Sequence, residues 1–300
     1  MEHLPIVVCS ECGVGITNPR PPVTKISCFY PDDYGCHAEV RQTRLSILKD
    51  KLLSYKCGYP HSENLIARML WTLIGFGLGG FIQFELPFIG PNRRLLDVGC
   101  GSGSVLKRAR SWGWEVYGVE LNSAAAKKAR EFVGTENVWT GTLESAPFPA
   151  NFFDCITLIQ VLEHLYYPAA TLAHCHRLLR TGGIAIISVP NFKSLPSLIM
   201  RDYWNGLQLP THLYHYSPSV LVKLAETQQL TVLRIVFASR ITSMLLNMRS
   251  LRAALAFQKK NNRNFSSLSY LCELMKRIPV SISGDCPTLA DQVQITLVKV

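Results

Sequence analysis

A doubly wound α/β fold, built on a mostly parallel seven-stranded sheet, is the fold class that this 300-residue sequence predicts. Three observations predict it. Short apolar runs recur at Arg94–Val98, Val116–Leu121, Val138–Leu143, Phe153–Ile159 and Gly183–Val189; most are continuous rather than alternating, as strands buried on both faces are. Helical patterns sit between most of them, at Ser104–Trp112, Ser123–Val133 and Pro168–Arg180, and strand, helix, strand in that rhythm builds a parallel sheet. A glycine-rich turn closes the first run, where a strand hands over to a helix and a ligand can reach the backbone.

The elements follow in chain order. Residues 1–37 are rich in Cys, Pro, Tyr and Gly and read as loops. Residues 38–92 read as a helical lid or linker, basic at first and apolar later. Within it, Met69–Phe84 is sixteen uncharged residues between Arg68 and Glu85. A membrane span needs about 20 residues, and Gly75, Gly77, Gly79 and Gly80 weaken a helix in water. The expectation is a buried or lid helix, with peripheral membrane contact as the alternative. The main domain runs over 93–300. Gly182–Gly183 is expected to cap the helix before it. Ser217 as N-cap and Pro218 in the first turn start a helix to about Gln229. Leu230–Ala238 and Gln292–Val300 complete the strands, and 241–283 reads as a basic, helical insertion.

Composition sets bounds. Hydrophobic residues make up 48% and charged residues 17%, which excludes a disordered chain. Ten Cys are too few for a disulfide scaffold, and MEHLPIVVCS lacks a basic n-region and a long apolar stretch. The expectation is reduced thiols in a cytoplasmic protein. The net charge of +10 favours an acidic partner: a phosphate-bearing substrate, an anionic membrane surface or nucleic acid.

The sharpest signal is LLDVGCGSG, Leu95 to Gly103. A strand ends at Asp97, Gly99, Gly101 and Gly103 follow at alternate positions, and a helix begins at Ser104. Glycines permit a tight turn and close ligand approach, and the helix start offers N–H groups to an anion. The second strand ends at Glu120, seventeen residues after Gly103, where a carboxylate can accept from both ribose hydroxyls of a nucleoside. A dinucleotide turn is spaced G-x-G-x-x-G. This one is G-x-G-x-G, with a carboxylate two residues ahead that would repel a pyrophosphate and attract an amine. S-adenosylmethionine carries such an amine.

These residues resemble the class I S-adenosylmethionine-dependent methyltransferases. FFDCITLIQVLEHLYYP is similar to that family's fourth strand and following turn, RLLRTGGIAIISVPN to its fifth strand, and PTHLYHYSPSVLVKLAETQQL to the His-containing segment of its small-molecule branch, which includes ubiquinone-type O-methyltransferases. The resemblance implies a final strand, Gln292–Val300, that runs antiparallel between the fifth and sixth. It also implies that Asp97, Gly99, Gly101 and Gly103 hold the methionyl end of the cofactor and Glu120 the ribose. Leu121 and Leu143 would flank the adenine, and Gln160 would lie near the methionine part. Where the family commonly has Asp before Leu143, this chain has Thr142.

CSECGVGITNPRP and FYPDDY resemble the start of bacterial methyltransferases from surface-glycan gene clusters, which carry two CxxC pairs. Only Cys9 and Cys12 form such a pair here. Cys28, Cys36 and His37 could add ligands, but their spacing fits no ribbon, so no metal is expected. Tyr30 and Tyr34 are candidates for a lid over the cofactor.

A hydroxyl acceptor must lose its proton, and a His is the usual base. His212 is the first candidate, because Pro210 and His212 match the family's P-x-H pattern; His164 and His215 come next. As the base, His212 would make the rate rise with pH through its pKa, near 6.5 if unperturbed; against the base stands a loop-ordering role, which predicts no titration in that range. Glu163 reads as an anchor of its turn, Asp154 as a cap, His174 and His176 as surface residues, and Trp112, Trp114 and Trp139 as packing. Trp204 reads as lining the acceptor pocket or as core. The function expected is methyl transfer to a small-molecule acceptor, a hydroxyl of a sugar or lipid-linked glycan precursor. The alternatives are a nucleic-acid methyltransferase, which the sequence IQVL after the fourth strand argues against, and a non-catalytic cofactor-binding partner protein.

Overall fold

The computed structural model describes residues 5–29, 44–60, 69–71, 73, 85–91, 93–238 and 290–300. Tyr30, Tyr34, Cys36, His37, most of the apolar stretch 69–84 and the insertion at 241–283 lie outside them.

Seven strands form the central sheet: β3 (Arg94–Val98), β4 (Glu115–Glu120), β5 (Val138–Thr140), β6 (Phe153–Ile159), β7 (Leu179–Pro190), β9 (Leu230–Ala238) and β10 (Gln292–Lys299). Their order is β5-β4-β3-β6-β7-β10-β9. Only β10 is antiparallel to its neighbours, which is the expected inserted strand. The order turns back between β3 and β6, and the carboxyl ends of those two strands flank the crevice where such sheets bind ligands.

Helices cover both faces. α2 (Ser104–Ser111) and α3 (Ser123–Val133) bury Leu106, Ala109, Ala126, Ala129 and Val133 with β3 and β4 residues such as Leu95 and Val116. α4 (Pro168–Leu178) and α6 (Pro218–Thr227) bury Leu172, Leu178, Val220 and Leu221 in a second cluster with Leu96, Ile156 and Ile187. Capping fixes where these helices start. Asn122 accepts from the Ala125 N–H at 2.9 Å, and Ser217 accepts from the Val220 N–H ahead of Pro218. At the opposite end of the sheet Asp154 accepts from the Arg94 N–H at 2.9 Å and pairs with Arg93 and Arg180, so it ties strand starts together rather than capping one.

Three expectations are corrected. Residues 1–37 are not all loop: β1 (Ile6–Val8) and β2 (Gly15–Thr17) form a hairpin, and a 3-10 turn spans Val23–Phe29. The hairpin closes through a Cys9 N–H bond to Val14 O and a Gly13 N–H bond to Cys9 O, with Gly13 at φ +82°; its strands are too short to carry a readable period. The helical reading of 38–92 holds for α1 (Arg44–Lys56) and for residues 69–71, whereas 85–90 form neither helix nor strand. Gly182–Gly183 do not cap α4, which stops at Leu178. They sit in a bulge of β7, between the pairings Phe153 with Leu179 and Cys155 with Ile184, and Gly182 takes φ +74°.

α1 is held to the sheet by one buried acid. Glu85, 6% exposed, pairs with Lys56 at 2.5 Å and Arg234 at 3.0 Å. The Gln294 amide bonds both the Glu85 N–H and its carbonyl, each at 3.0 Å. A last strand, β8 (Tyr214–His215), pairs with β2, so a three-stranded sheet joins the N-terminal hairpin to the segment before α6. Beside it, α5 (Leu195–Met200) contributes Met200 to a small core with Trp204 and Leu207, on which Ile6 and Phe192 pack.

Candidate functional site

The turn after β3 is a backbone cradle. Gly99, Gly101 and Gly103 all take positive φ, +68°, +54° and +86°, a region that costs a residue with a Cβ. A Cβ on Gly99 would lie 2.7 Å from Val161 Cγ2. The turn is held to β4 by Gly99 and Cys100 N–H bonds to Val119 O. Glu120 closes it from the other side: one carboxylate oxygen accepts from the Gly101 N–H and the other from the Asn122 N–H, both at 2.8 Å.

Asp97 stands under the cradle, 3% exposed, accepting from the Thr157 hydroxyl at 2.6 Å. Desolvation, with help from the Glu120 charge and against the Thr157 bond, pushes its pKa up to about 7. Gln160, just past β6, is held at φ +59°. Its amide donates to Ser188 O at 3.1 Å and to Gln292 Oε1 at 2.7 Å. Leu121 is 70% exposed beside the cradle, whereas Leu143 is buried in the core. The Thr142 carbonyl accepts from the Ser145 hydroxyl.

The three candidate histidines converge on the β6–β7 side. His212 is 2% exposed and donates Nδ1–H to the Gly206 carbonyl at 2.8 Å. His164 donates Nδ1–H to the Thr211 carbonyl at 3.0 Å. A carbonyl can only accept, so in both neutral rings the lone pair is on Nε2. The rings meet edge to face, 4.6 Å apart. Glu163, missed as more than an anchor, joins them: one ligand atom from each of Glu163, His164 and His212 lies within 4.8 Å of the others. The signal was the adjacency of Glu163 and His164 in a turn after a buried strand. His215 contacts the Thr17 hydroxyl through Nε2 at 3.0 Å. Burial lowers all three: His164 and His215 fall to about 4, and His212 well below its ordinary value, with the neighbouring His164 adding to the shift. The expectation that His212 titrates near 6.5 is thereby corrected, because a charged ring there would lose its hydration.

The other candidates are placed as follows. Trp204 is buried in the small core beside the histidine loop. Trp114 is buried with its N–H on the Tyr59 hydroxyl, and Trp112 packs on the same ring, but Trp139 is 38% exposed. His174 and His176 lie half-buried on α4. The seven described cysteines are free thiols. N–H groups of Cys12 and Glu11 hold the Cys9 thiol below its ordinary value, and Cys28 is exposed. A surface hollow lined by Val222, Glu226 and Leu230–Val232 lies at the start of β9, the end of the sheet away from the cradle.

Residues 77–235, more than half of the chain, match the family model described as a methyltransferase domain. The chain is a class I methyltransferase. Among its relatives is a ubiquinone biosynthesis O-methyltransferase of Nitrosococcus oceani, 35% identical over 41% of this chain and 56% of that protein. Another, from Thiobacillus denitrificans with the same description, is 30% identical over 50% of this chain and 71% of that protein. The methyltransferase thus spans little more than half the length of the first relative. A solved S-adenosylmethionine-dependent methyltransferase of Mesorhizobium loti aligns over 71% of this chain and 93% of its own, at 14% identity and a TM-score of 0.45. Within the methyltransferase no described helix is long and apolar enough to cross a membrane. S-adenosylmethionine is the family's cofactor. The residues fit it: a cradle that side chains would fill, a buried carboxyl, and a second carboxylate whose N–H bonds a nucleoside hydroxyl can replace.

Proposed function

We propose that this methyltransferase transfers a methyl group to a hydroxyl oxygen of a small molecule. The observation that carries the reading is the Glu120 carboxylate bonded into the Gly101 turn, above buried Asp97. Asp97 and the N–H groups of the cradle would hold the methionyl end, Glu120 the ribose, Leu121 and Leu143 the adenine, and Gln160 the neighbourhood of the sulfonium. The cofactor supplies a methyl group already activated on sulfur, so the chain's task is alignment and exclusion of water. Glu120 would orient the ribose by accepting hydrogen bonds from its two hydroxyls, and Asp97, once ionised, would offer its charge to the ammonium.

His212 is the proposed base. Its Nδ1–H bond to Gly206 turns the Nε2 lone pair outward from that carbonyl, and its lowered pKa keeps the ring neutral at pH 7. A buried imidazolium is costly, and the nearby Glu163 offsets part of that cost while the proton is held. The described relatives, named for ubiquinone biosynthesis, favour a hydroxyl as the accepting group. The sugar or glycan acceptor rests on the N-terminal resemblance alone and is tested beside phenolic hydroxyls.

The experiment has two steps. Calorimetry with S-adenosylmethionine should show binding by the full chain, and Glu120→Ala should lose about 2–4 kcal/mol with two charge-assisted bonds gone. Unchanged affinity would remove Glu120 from the site. Labelled-methyl transfer is then screened over nucleotide sugars, lipid-linked sugars and phenols. His212→Ala should lower turnover by about 10²–10⁴ with cofactor affinity retained; near-native turnover would end its role as base. Binding without turnover on any acceptor would favour a non-catalytic partner protein.

A further inference from the structure

The N-terminal hairpin reaches the histidine loop through one side chain. Thr17, at the end of β2, has no exposed surface. Its hydroxyl oxygen lies 2.6 Å from the His212 carbonyl and 3.0 Å from His215 Nε2. A hydroxyl has one proton. The carbonyl cannot donate, so that proton goes to His212 O, and the hydroxyl oxygen can only accept from His215. His215 therefore carries its proton on Nε2, the opposite tautomer to His164 and His212.

The backbone repeats the attachment. The Thr17 N–H bonds Leu213 O at 3.1 Å, and the Leu213 N–H bonds Glu163 O at 2.8 Å. One ladder thus runs from the hairpin through the 211–215 segment to the turn that carries Glu163 and His164. Gly15 makes the approach possible: a Cβ there would lie 3.0 Å from His215 Cβ and 3.2 Å from the Phe192 ring. The hairpin is seated over the loop, and His212 and His215 are 2% and 3% exposed beneath it.

We propose that Thr17 is a positioning residue of the methyl-acceptor side, its hydroxyl fixing the His212 carbonyl and the His215 tautomer. The hairpin is then a wall of the site, where the sequence suggested only a ribbon-like segment whose cysteines fit no metal site. The inference rests on the reading of the histidine loop as the acceptor side, but its first test does not need an acceptor.

Long-range 1H–15N correlation spectra of the full chain, labelled with 15N-histidine, report the tautomer of each ring. The wild type should show His215 as Nε2–H and His164 and His212 as Nδ1–H. A wild-type His215 protonated on Nδ1 overturns the proposal without any variant. Thr17→Val keeps the shape and removes the hydroxyl. It should abolish the single tautomer of His215 and shift the His212 signals, and Thr17→Ser should restore both. A variant Thr17→Val that is folded by circular dichroism and keeps the wild-type pattern overturns it as well. If Thr17→Val does not fold, Thr17→Ser decides: a wild-type pattern supports the role and a mixed one opposes it. On an acceptor from the screen, Thr17→Val should lower kcat about tenfold, with affinity for S-adenosylmethionine unchanged and Thr17→Ser near wild type. Loss of cofactor affinity in the wild type itself would fail the family site and leave the tautomer result standing.

Discussion

Asp97 is an acid that the fold keeps half-protonated at neutral pH. Burial favours its neutral form, and the ammonium proposed to bind beside it would favour the charged form, so on that proposal binding draws a proton off it. With a pKa of about 7, the ionised fraction rises about tenfold between pH 6 and pH 8. Affinity for S-adenosylmethionine should rise by about that factor, and Asp97→Asn should flatten the curve while weakening binding. Calorimetry across the range checks this; a wild-type affinity independent of pH would mean that Asp97 does not face the ammonium. The places of Asp97 and Glu120 near the ends of their strands were legible in the sequence, because apolar runs and glycine spacing locate them by counting. The Glu120 bond to Gly101, the raised pKa and the His215 tautomer were not. Each depends on a contact across the chain, up to 198 residues for Thr17 and His215, and local spacing carries no record of that.

Among elements, α1 is tied to the sheet through Glu85 and to α2 through the Asp50–Arg108 pair. Largely buried Lys56 and exposed Arg234 converge on a carboxylate that is 8% exposed, and removing the acid takes the counter-charge from that lysine. Glu85→Ala should destabilise the protein by about 3–5 kcal/mol, read as a shift in urea midpoint, with Glu85→Gln intermediate because it keeps the shape. A loss under 1 kcal/mol would show the network to be dispensable. The strands and helices of the main sheet were readable because their runs are long or continuous: β3, α3, β6 and β9 have the expected bounds. The hairpin strands have three residues each, below any period, and they exist through the partner strand β8. Gly182 misled for a related reason. A glycine at positive φ serves a helix cap and a β-bulge equally well, and only the pairing of β6 with β7 separates the two.

The molecule as a whole should be sensitive to acid. His164 and His215 titrate near 4 when folded and near 6.5 when unfolded. A lowered His favours the unfolded chain as pH falls below 6.5, because only that state takes up the proton. Between pH 7.5 and 5 each costs about 2 kcal/mol, and His212 adds in the same direction. Asp97 opposes them: raised to about 7, it strains the fold at high pH and relieves about 2.5 kcal/mol over the same interval. The histidines win, and net stability should fall by at least about 1.5 kcal/mol. Asp97→Asn removes the offset and should deepen the fall to about 4 kcal/mol. Chemical denaturation at the two pH values reads both; stability that rises toward pH 5 would refute the assignment. One more consequence comes from β2 pairing with β8. During synthesis the hairpin emerges well before its partner strand, which lies about 200 residues further along the chain. At 5–20 residues per second, β2 waits on the order of 10–40 s with one edge open, exposed Val7 and Val8 alongside, before the segment that it docks against exists.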